Sequence, residues 1–219
     1  KLESGEIMLE EVPFNLYDIG QNVLKIIEKM AEERKIEITQ DNIGVVHWNL
    51  IGSPVHVKRI MMNFISNAVK YNKEHGKIML RCREISAEGD TAVFEFTCRD
   101  TGIGMSREFQ EHLFEPFTQE RVGGYSKYGS TGLGMSITMG LVKRMGGDIT
   151  FESEKDKGTT FVITIPFKID MEKREAEKKA KKSVCSIAGL NILLVEDNEL
   201  NMEIVEFITQ NAGAVVTKA

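Results

Sequence analysis

Cysteine is scarce in this chain of 219 residues: there are three, Cys82, Cys98 and Cys185, and no two stand at CxxC spacing. An odd count without a signal peptide argues against a disulfide framework and points to reduced thiols in a cytosolic setting. Excess positive charge is missing too, since the net charge is −5. A nucleic-acid footprint is normally basic, so no nucleic-acid partner is expected. No run of about 18 apolar residues occurs, so nothing in this chain is expected to contact or span a membrane, whatever a longer parent carries. The chain begins at Lys1 without an initiator Met, which reads as a piece of such a parent. The remainder is ordinary globular material, 42% hydrophobic and 28% charged, enough to build a core.

One stretch organises the rest. Asp100-Thr101-Gly102-Ile103-Gly104-Met105 follows the alternating strand pattern of Thr91 to Cys98. Glycines at i and i+2 permit torsions and close approaches that a Cβ forbids, so an acid is fixed at a strand end beside a turn that a flat ring can lie against. A carboxylate there accepts a hydrogen bond from an exocyclic amine such as that of adenine. A plain strand-to-helix turn with an Asp cap explains the stretch equally well by itself.

Before it, Asn15 caps a helix whose Leu16, Ile19, Val23, Ile26, Ile27 and Met30 recur at helical spacing. Ile36 to Leu50 reads as two strands around an Asp41-Asn42 turn. Ser53-Pro54 opens a second helix to about Asn72, with Val57, Ile60, Met61, Phe64 and Ala68 on its buried face. Asn63, Asn67, Lys70 and Tyr71 share the other side. Asparagine is a poor helix former. This row is either a solvated polar face or an Mg²⁺ ligand followed by a cation for phosphate oxygens.

After His75-Gly76, Lys77 to Glu84 and Thr91 to Cys98 make a hairpin; a short helix, Glu108 to Phe114, precedes Glu115-Pro116-Phe117. Val122 to Thr131 is rich in Gly, Ser and Tyr and reads as a mobile loop. It ends in Gly129-Ser130-Thr131-Gly132-Leu133-Gly134-Met135-Ser136, which runs into the helical pattern Ile137, Leu141, Val142, Met145. Glycines that open a helix leave its first N–H groups free for an anion. No Lys-Ser/Thr follows and no strand precedes, which excludes a Walker A loop and a dinucleotide fingerprint. Asp148 to Ser153 and Thr159 to Ile165 are two further strands, and the charged run Asp170 to Lys182 is a linker. Beyond it Ile192 to Val195 reads as a buried parallel strand ending in Glu196-Asp197, carboxylates suited to a divalent metal. The thirty or so residues left there are too few for an α/β domain of about 100.

Together these segments resemble the ATP-binding catalytic domain of bacterial sensor histidine kinases, within the GHKL ATPase superfamily. The match covers residues 10–167 through Asn63-Phe-Ile-Ser-Asn67-Ala-Val-Lys70-Tyr71, Asp100-Thr-Gly102-Ile-Gly104-Met, Phe114-Glu-Pro-Phe117 and Gly132-Leu-Gly134-Met-Ser. Residues 189–219 resemble the first βαβ portion of a response-regulator receiver domain, and the order is that of a hybrid kinase. The implied division is a tail of a dimerisation helix region at 1–9, the catalytic domain at 10–168, a linker at 169–188 and a receiver portion at 189–219. The implied fold is α+β, a two-layer α/β sandwich of the Bergerat type with a mixed sheet and helices on one face.

The resemblance further implies ATP and Mg²⁺ as cofactors. Asp100, with Gly102, Ile103, Gly104 and Met105, would take the adenine, and Thr160 would assist nearby. Asn67 would hold Mg²⁺, with Asn63, Lys70 and Tyr71 about the phosphates or ribose. Gly132 and Gly134 would hinge a lid that includes Ser130, Thr131, Leu133 and Met135, whose Arg121 or Lys127 would reach the γ-phosphate and which Phe114 and Phe117 would anchor. Glu196 and Asp197 would be metal ligands of an incomplete receiver site. The phosphoryl would pass to a histidine on a dimerisation domain of the parent, a homodimer that also carries the receiver; this part would lie in the cytoplasm, whether or not the parent is anchored in the inner membrane. His47, His56, His75 and His112 all lack the acceptor context. Two rival functions are an ATPase clamp and a nucleotide-sensing module without kinase activity.

Overall fold

The computed structural model describes residues 9–119, 131–182 and 188–219, the last six of the middle stretch by backbone alone. The chain divides into two compact units, one ending at Met171 and one running from Glu172 to Ala219.

In the first unit the predicted helices form where their caps allow. Helix α1 (Leu16–Glu32) starts at Asn15, whose side chain accepts from the Asp18 N–H at 3.1 Å. It buries Leu16, Val23, Leu24, Ile27 and Ala31. Helix α2 (Pro54–Lys70) has Pro at its first position, but Ser53 turns its hydroxyl to His56 Nδ1 at 2.6 Å instead of bonding a helix N–H. It stops at Lys70 rather than Asn72, with Tyr71 as the C-cap. Two later helices are α3 (Arg107–His112) and α4 (Gly134–Arg144).

The strands are β1 (Val12–Asn15), β2 (Glu37–Ile43), β3 (Asn49–Gly52), β4 (Lys77–Glu88), β5 (Thr91–Asp100), β6 (Asp148–Glu154) and β7 (Gly158–Ile169). They form one sheet in the order β1-β3-β7-β5-β4-β2, with β6 also paired to β7. Only the β2–β4 pairing is parallel, so the sheet is mixed, as expected. Register aligns Ala92, Phe94, Phe96 and Cys98 with Phe167, Ile165, Ile163 and Phe161. Alternate residues of a strand share a face, and all of these but Cys98 pack with Val57, Ile60, Phe64, Leu141 and Val142 of the helices into one core, while Cys98 joins a second cluster with Val23, Ile27 and Val69. The two-layer sandwich therefore stands.

One expectation in this unit fails. No turn occurs at Asp41-Asn42: β2 runs through both, the chain turns at Gly44 (φ +65°), and β2 pairs with β4 instead of β3. The cause lies at a distance. Residues 45–48 must cross to β3 on the far side of the sheet, and Glu84 of β4 catches them. Its Oε2 accepts the Val46 and His47 N–H groups at 2.7 and 2.9 Å, and Oε1 lies 2.6 Å from His47 Nδ1. Burial works against the Glu84 charge, but the hydrogen bonds from His47 and Val46 outweigh it and hold the carboxyl below its usual range. Strand β1 is too short to show a pattern and exists because β3 offers it an edge.

In the second unit, α5 (Met171–Lys182) precedes β8 (Asn191–Leu194), α6 (Glu199–Asn211) and β9 (Val215–Lys218), with β8 and β9 parallel. Parallel pairing was expected; burial was not met. Leu193 and Val195 are 63% and 74% exposed, because two strands and one helix leave the sheet uncovered among the described residues.

A partly open pocket of about 80 Å³ lies between α1, α2 and the sheet, lined by Gly20, Val23, Met61, Leu80, Cys82 and Phe96 among others. A Cβ added at Gly20 meets nothing within 4 Å. Gly20→Ala should therefore raise stability by roughly 0.5–1 kcal/mol, read as a higher urea midpoint, since it removes unfolded-state freedom without a clash. Glu84 contributes stability that is fully present above the ordinary glutamate range and is lost as pH falls through its lowered value. Glu84→Gln should lower the unfolding free energy at neutral pH and flatten that acid dependence in a pH series.

Candidate functional site

Asp100 is the last residue of β5, as the sequence indicates. Its Oδ1 accepts the Gly102 N–H at 2.8 Å and the Thr159 N–H at 3.2 Å. Among the described residues its Oδ2 takes no hydrogen bond, which leaves one oxygen for a ligand. Burial pushes the carboxyl pKa above its ordinary value, and the Gly102 and Thr159 N–H groups pull it partly back. Glycine is required around it. A Cβ on Gly102 would stand 2.4 Å from the Tyr71 carbonyl oxygen, and one on Gly104 (φ +59°) 2.0 Å from that of Glu154. Behind the turn, the Met105 N–H donates to Ser153 Oγ at 2.9 Å, and Ser153 and Thr159 share a hydroxyl contact at 2.9 Å.

The polar side of α2 faces the start of α4. Asn63 Nδ2 donates to Thr138 Oγ1 at 2.9 Å, and Thr138 donates in turn to the Gly134 carbonyl at 2.8 Å. A Cβ on Gly134 would lie 2.5 Å from Asn63 Oδ1, so glycine there lets the two helices meet. Asn63 and Asn67 both approach Met135 Sδ at 3.6 Å through Nδ2. That leaves Asn67 Oδ1, a hard donor, without a partner among the described residues. Among the described residues no side chain caps α4, whose N-cap position is Leu133, so its first N–H groups are open to an anion there. Lys70 and Tyr71 stand side by side, with Nζ 5.1 Å from the ring centroid. The two halves join where the Ile103 N–H donates to the Tyr71 carbonyl at 3.0 Å.

One expected residue, Thr160, falls elsewhere. Thr160 pairs with Arg99 on β5 and with Glu152 on β6, one residue out of phase with Asp100. Strand alternation puts its side chain on the opposite sheet face, and it is Thr159 whose N–H reaches Asp100. Phe114 packs edge-on against Phe151 at 5.8 Å, whereas Phe117 is 70% exposed at φ +66°. The Phe117 N–H donates to the Gly132 carbonyl at 3.1 Å, which brings 117 and 132 together. Thr131 is exposed; Arg121, Lys127, Ser130 and nearly all of the Val122–Thr131 loop lie outside the described residues. Glu196 accepts from Asn201 Nδ2 at 3.1 Å, and no group of three or more metal-binding His, Cys, Asp or Glu occurs among the described residues. Thr159, Thr138 and Ser153 were missed; only the i+4 step from Gly134 to Thr138 left any trace in the sequence.

The arrangement suits a ligand with a hydrogen-bond donor on a flat ring at one end and anionic groups at the other. Asp100 carries a cost for this. Its raised pKa means a stability penalty that appears as pH rises through the ordinary aspartate value and is complete above the raised one. Asp100→Asn keeps an oxygen for both N–H groups and removes the charge, so at neutral pH it should unfold in urea no earlier than the parent. The difference should vanish in acid.

Similarity to known proteins agrees with this geometry. Residues 52–169 match the family described as histidine kinase-, DNA gyrase B-, and HSP90-like ATPase. The chain is 32% identical over 198 residues to the signal transduction histidine-protein kinase BarA of Shigella flexneri, covering 90% of this chain and 21% of that protein. It spans about a fifth to a quarter of the length of the curated relatives it matches. The fold is shared with the catalytic domain of histidine kinase ThkA (TM-score 0.58, 22% identity, 72% of this chain and 95% of that one). It is also shared with full-length ShkA in complex with AMPPNP (TM-score 0.60, 22% identity, 97% and 41%). With the family match spanning more than half of its residues, the chain belongs to the histidine kinase-, DNA gyrase B- and HSP90-like ATPases.

Proposed function

We propose that this chain holds ATP with Mg²⁺ and presents the γ-phosphoryl to a histidine on a separate dimerisation domain, as the catalytic part of a sensor histidine kinase. The observation that carries the reading is a chain of contacts linking three open groups: the turn after Asp100 is joined to the end of α2 through Ile103 and Tyr71, and Asn67 of α2 lies against Met135 at the start of α4, which no described side chain caps. Asp100 would accept from the adenine amine, with Thr159 behind it in place of Thr160. Asn67 Oδ1 would ligate Mg²⁺, the remaining positions falling to phosphate oxygens and water, as this ion prefers. When bound, Mg²⁺ neutralises phosphate charge.

The chain's own contribution is then positioning and electrostatics. Lys70, Tyr71 and the first N–H groups of α4 would hold the phosphates, with Thr131, Gly132 and Leu133 beside them. By the same resemblance Arg121 or Lys127 would reach the γ-phosphate, with Ser130 among the nucleotide contacts. The chain's own histidines support an acceptor elsewhere: His47 is engaged by Glu84, His56 by Ser53 and His112 by Glu115, and His75 forms a turn. An ATPase clamp is disfavoured because the α2 position nearest α4 carries Asn63, bonded to Thr138, where a water-activating carboxylate would be needed. We take the parent to be a homodimer whose receiver domain includes residues 189–219, with Glu196 and Asp197 as two of its metal ligands, and this part of it to lie in the cytoplasm.

Titration calorimetry with ATP and Mg²⁺ should show binding that Asp100→Asn weakens by about 1–3 kcal/mol, the cost of an unmet buried polar group. Incubation with γ-labelled ATP should leave the chain unlabelled, and added dimerisation domain from its parent should acquire acid-labile, base-stable label. Steady phosphate release without a partner would favour the clamp. Binding without transfer to any histidine would favour a sensing module.

A further inference from the structure

The last turn of α2 has to satisfy its carbonyls, because the final C=O groups of a helix have no intrahelical partner. Four successive carbonyls, from Val69 to Asn72, reach the end of this helix. Arg34, two residues beyond α1, takes three of them. Its guanidinium donates from Nη1 to the Val69 carbonyl and, at 2.6 Å, to that of Lys70, and from Nη2 to that of Asn72 at 2.7 Å. The fourth, Tyr71, is left to accept the Ile103 N–H at 3.0 Å. That bond joins the α2 end to the Asp100–Met105 turn.

Neighbouring groups fix the same joint. Asn72 is 3% exposed; its Oδ1 accepts from Lys73 N and Thr101 Oγ1, and its Nδ2 donates to the Lys77 carbonyl. Thr101 Oγ1 accepts the Lys77 N–H at 2.8 Å. Arg34 is held in turn by the reversal after α1. Lys35 adopts φ +55°, and the Ile36 N–H reaches back to the Ala31 carbonyl at 2.9 Å.

We infer that Arg34 is a positioning residue for the nucleotide site. By occupying three carbonyls it sets the rotation of the last α2 turn, so that Tyr71 O faces Ile103 while Asn67 and Lys70 face the phosphate end. The planar fork carries five donors in fixed directions, and a lysine presents its three donors from one point. Charge alone, which also favours a cation at a helix C-terminus, is therefore insufficient. The assignment rests on the nucleotide reading above and is tested partly without nucleotide.

Arg34→Lys keeps a cation at the helix end and should stay folded. Without nucleotide, amide exchange at Ile103 should accelerate at least tenfold relative to strand β7 amides in the same protein. With a fluorescent ATP analogue and Mg²⁺, the dissociation constant should rise about tenfold. In Arg34→Ala, added methylguanidinium should recover part of the affinity. Glu84→Gln, which destabilises the fold away from the site, serves as the control and should leave affinity unchanged.

Unaltered Ile103 exchange in Arg34→Lys would overturn the inference, as would an affinity loss in Glu84→Gln matching that of Arg34→Lys. Absence of binding by the unmodified chain would instead overturn the nucleotide reading, while exchange at Ile103 still decides whether Arg34 sets the joint. An unfolded Arg34→Ala changes nothing in this scheme, because Arg34→Lys carries both readouts.

Discussion

The structure depends on a backbone contact too close for any side chain. The end of α2 and the turn after β5 approach until the Tyr71 carbonyl sits where a Cβ of residue 102 would be, 2.4 Å away. Glycine at 102 permits the approach, and the Ile103 N–H converts it into a hydrogen bond. Gly158 repeats the device from the other side, where a Cβ would stand 2.1 Å from the Asp100 carbonyl. Asp100 is thereby fixed between two strands and a helix end, with one oxygen used by the fold and one spare.

Such a site works against stability. A carboxylate moved out of water loses solvation, and its pKa rises even with two N–H groups pointing at it. Asn63 and Asn67 are likewise poor choices for a helix interior. Sequences break local rules most where a ligand will later supply the missing partner. Elsewhere the rules hold: Phe94, Ile165, Leu141 and Val142 fill a core without polar interruption. Glu84 shows the contrast within one domain. It is also a partly buried acid, but its two oxygens are consumed by Val46 and His47, and its pKa falls. One acid closes the fold, and the other leaves an oxygen open.

The same logic separates the two ends of the site. At the end proposed for the base the partners are backbone groups held by glycine contacts. At the end proposed for the phosphates they are side-chain amides, Asn63 and Asn67, set against the thioether of Met135. Sulfur is a weak acceptor, so that contact is one a harder ligand displaces readily. Rigidity at one end and exchangeable contacts at the other suit a ligand whose ring is common to substrate and product but whose phosphates change.

Much of this was legible from the residues. The order Asn63…Asn67, Asp100…Gly104, Phe114…Phe117, Gly132…Gly134 indicated the family, and helical periodicity with Asn15 and Pro54 placed α1 and α2. Local patterns carry such information because caps, glycine torsions and apolar periods act over a few residues. The path of the chain between β2 and β3 was beyond them, since Glu84 lies about forty residues from the loop it holds. Thr159 and Thr160 are indistinguishable in sequence, and only the register of β7 against β5 says which one faces Asp100. Arg34 in a charged helix exit looks like any solvated arginine. Its role comes from the packing of α1 beside α2, which brings its guanidinium onto three carbonyls more than thirty residues away. Sequence determined which groups are available, and tertiary structure decided which of them meet, because hydrogen bonds form by distance in space.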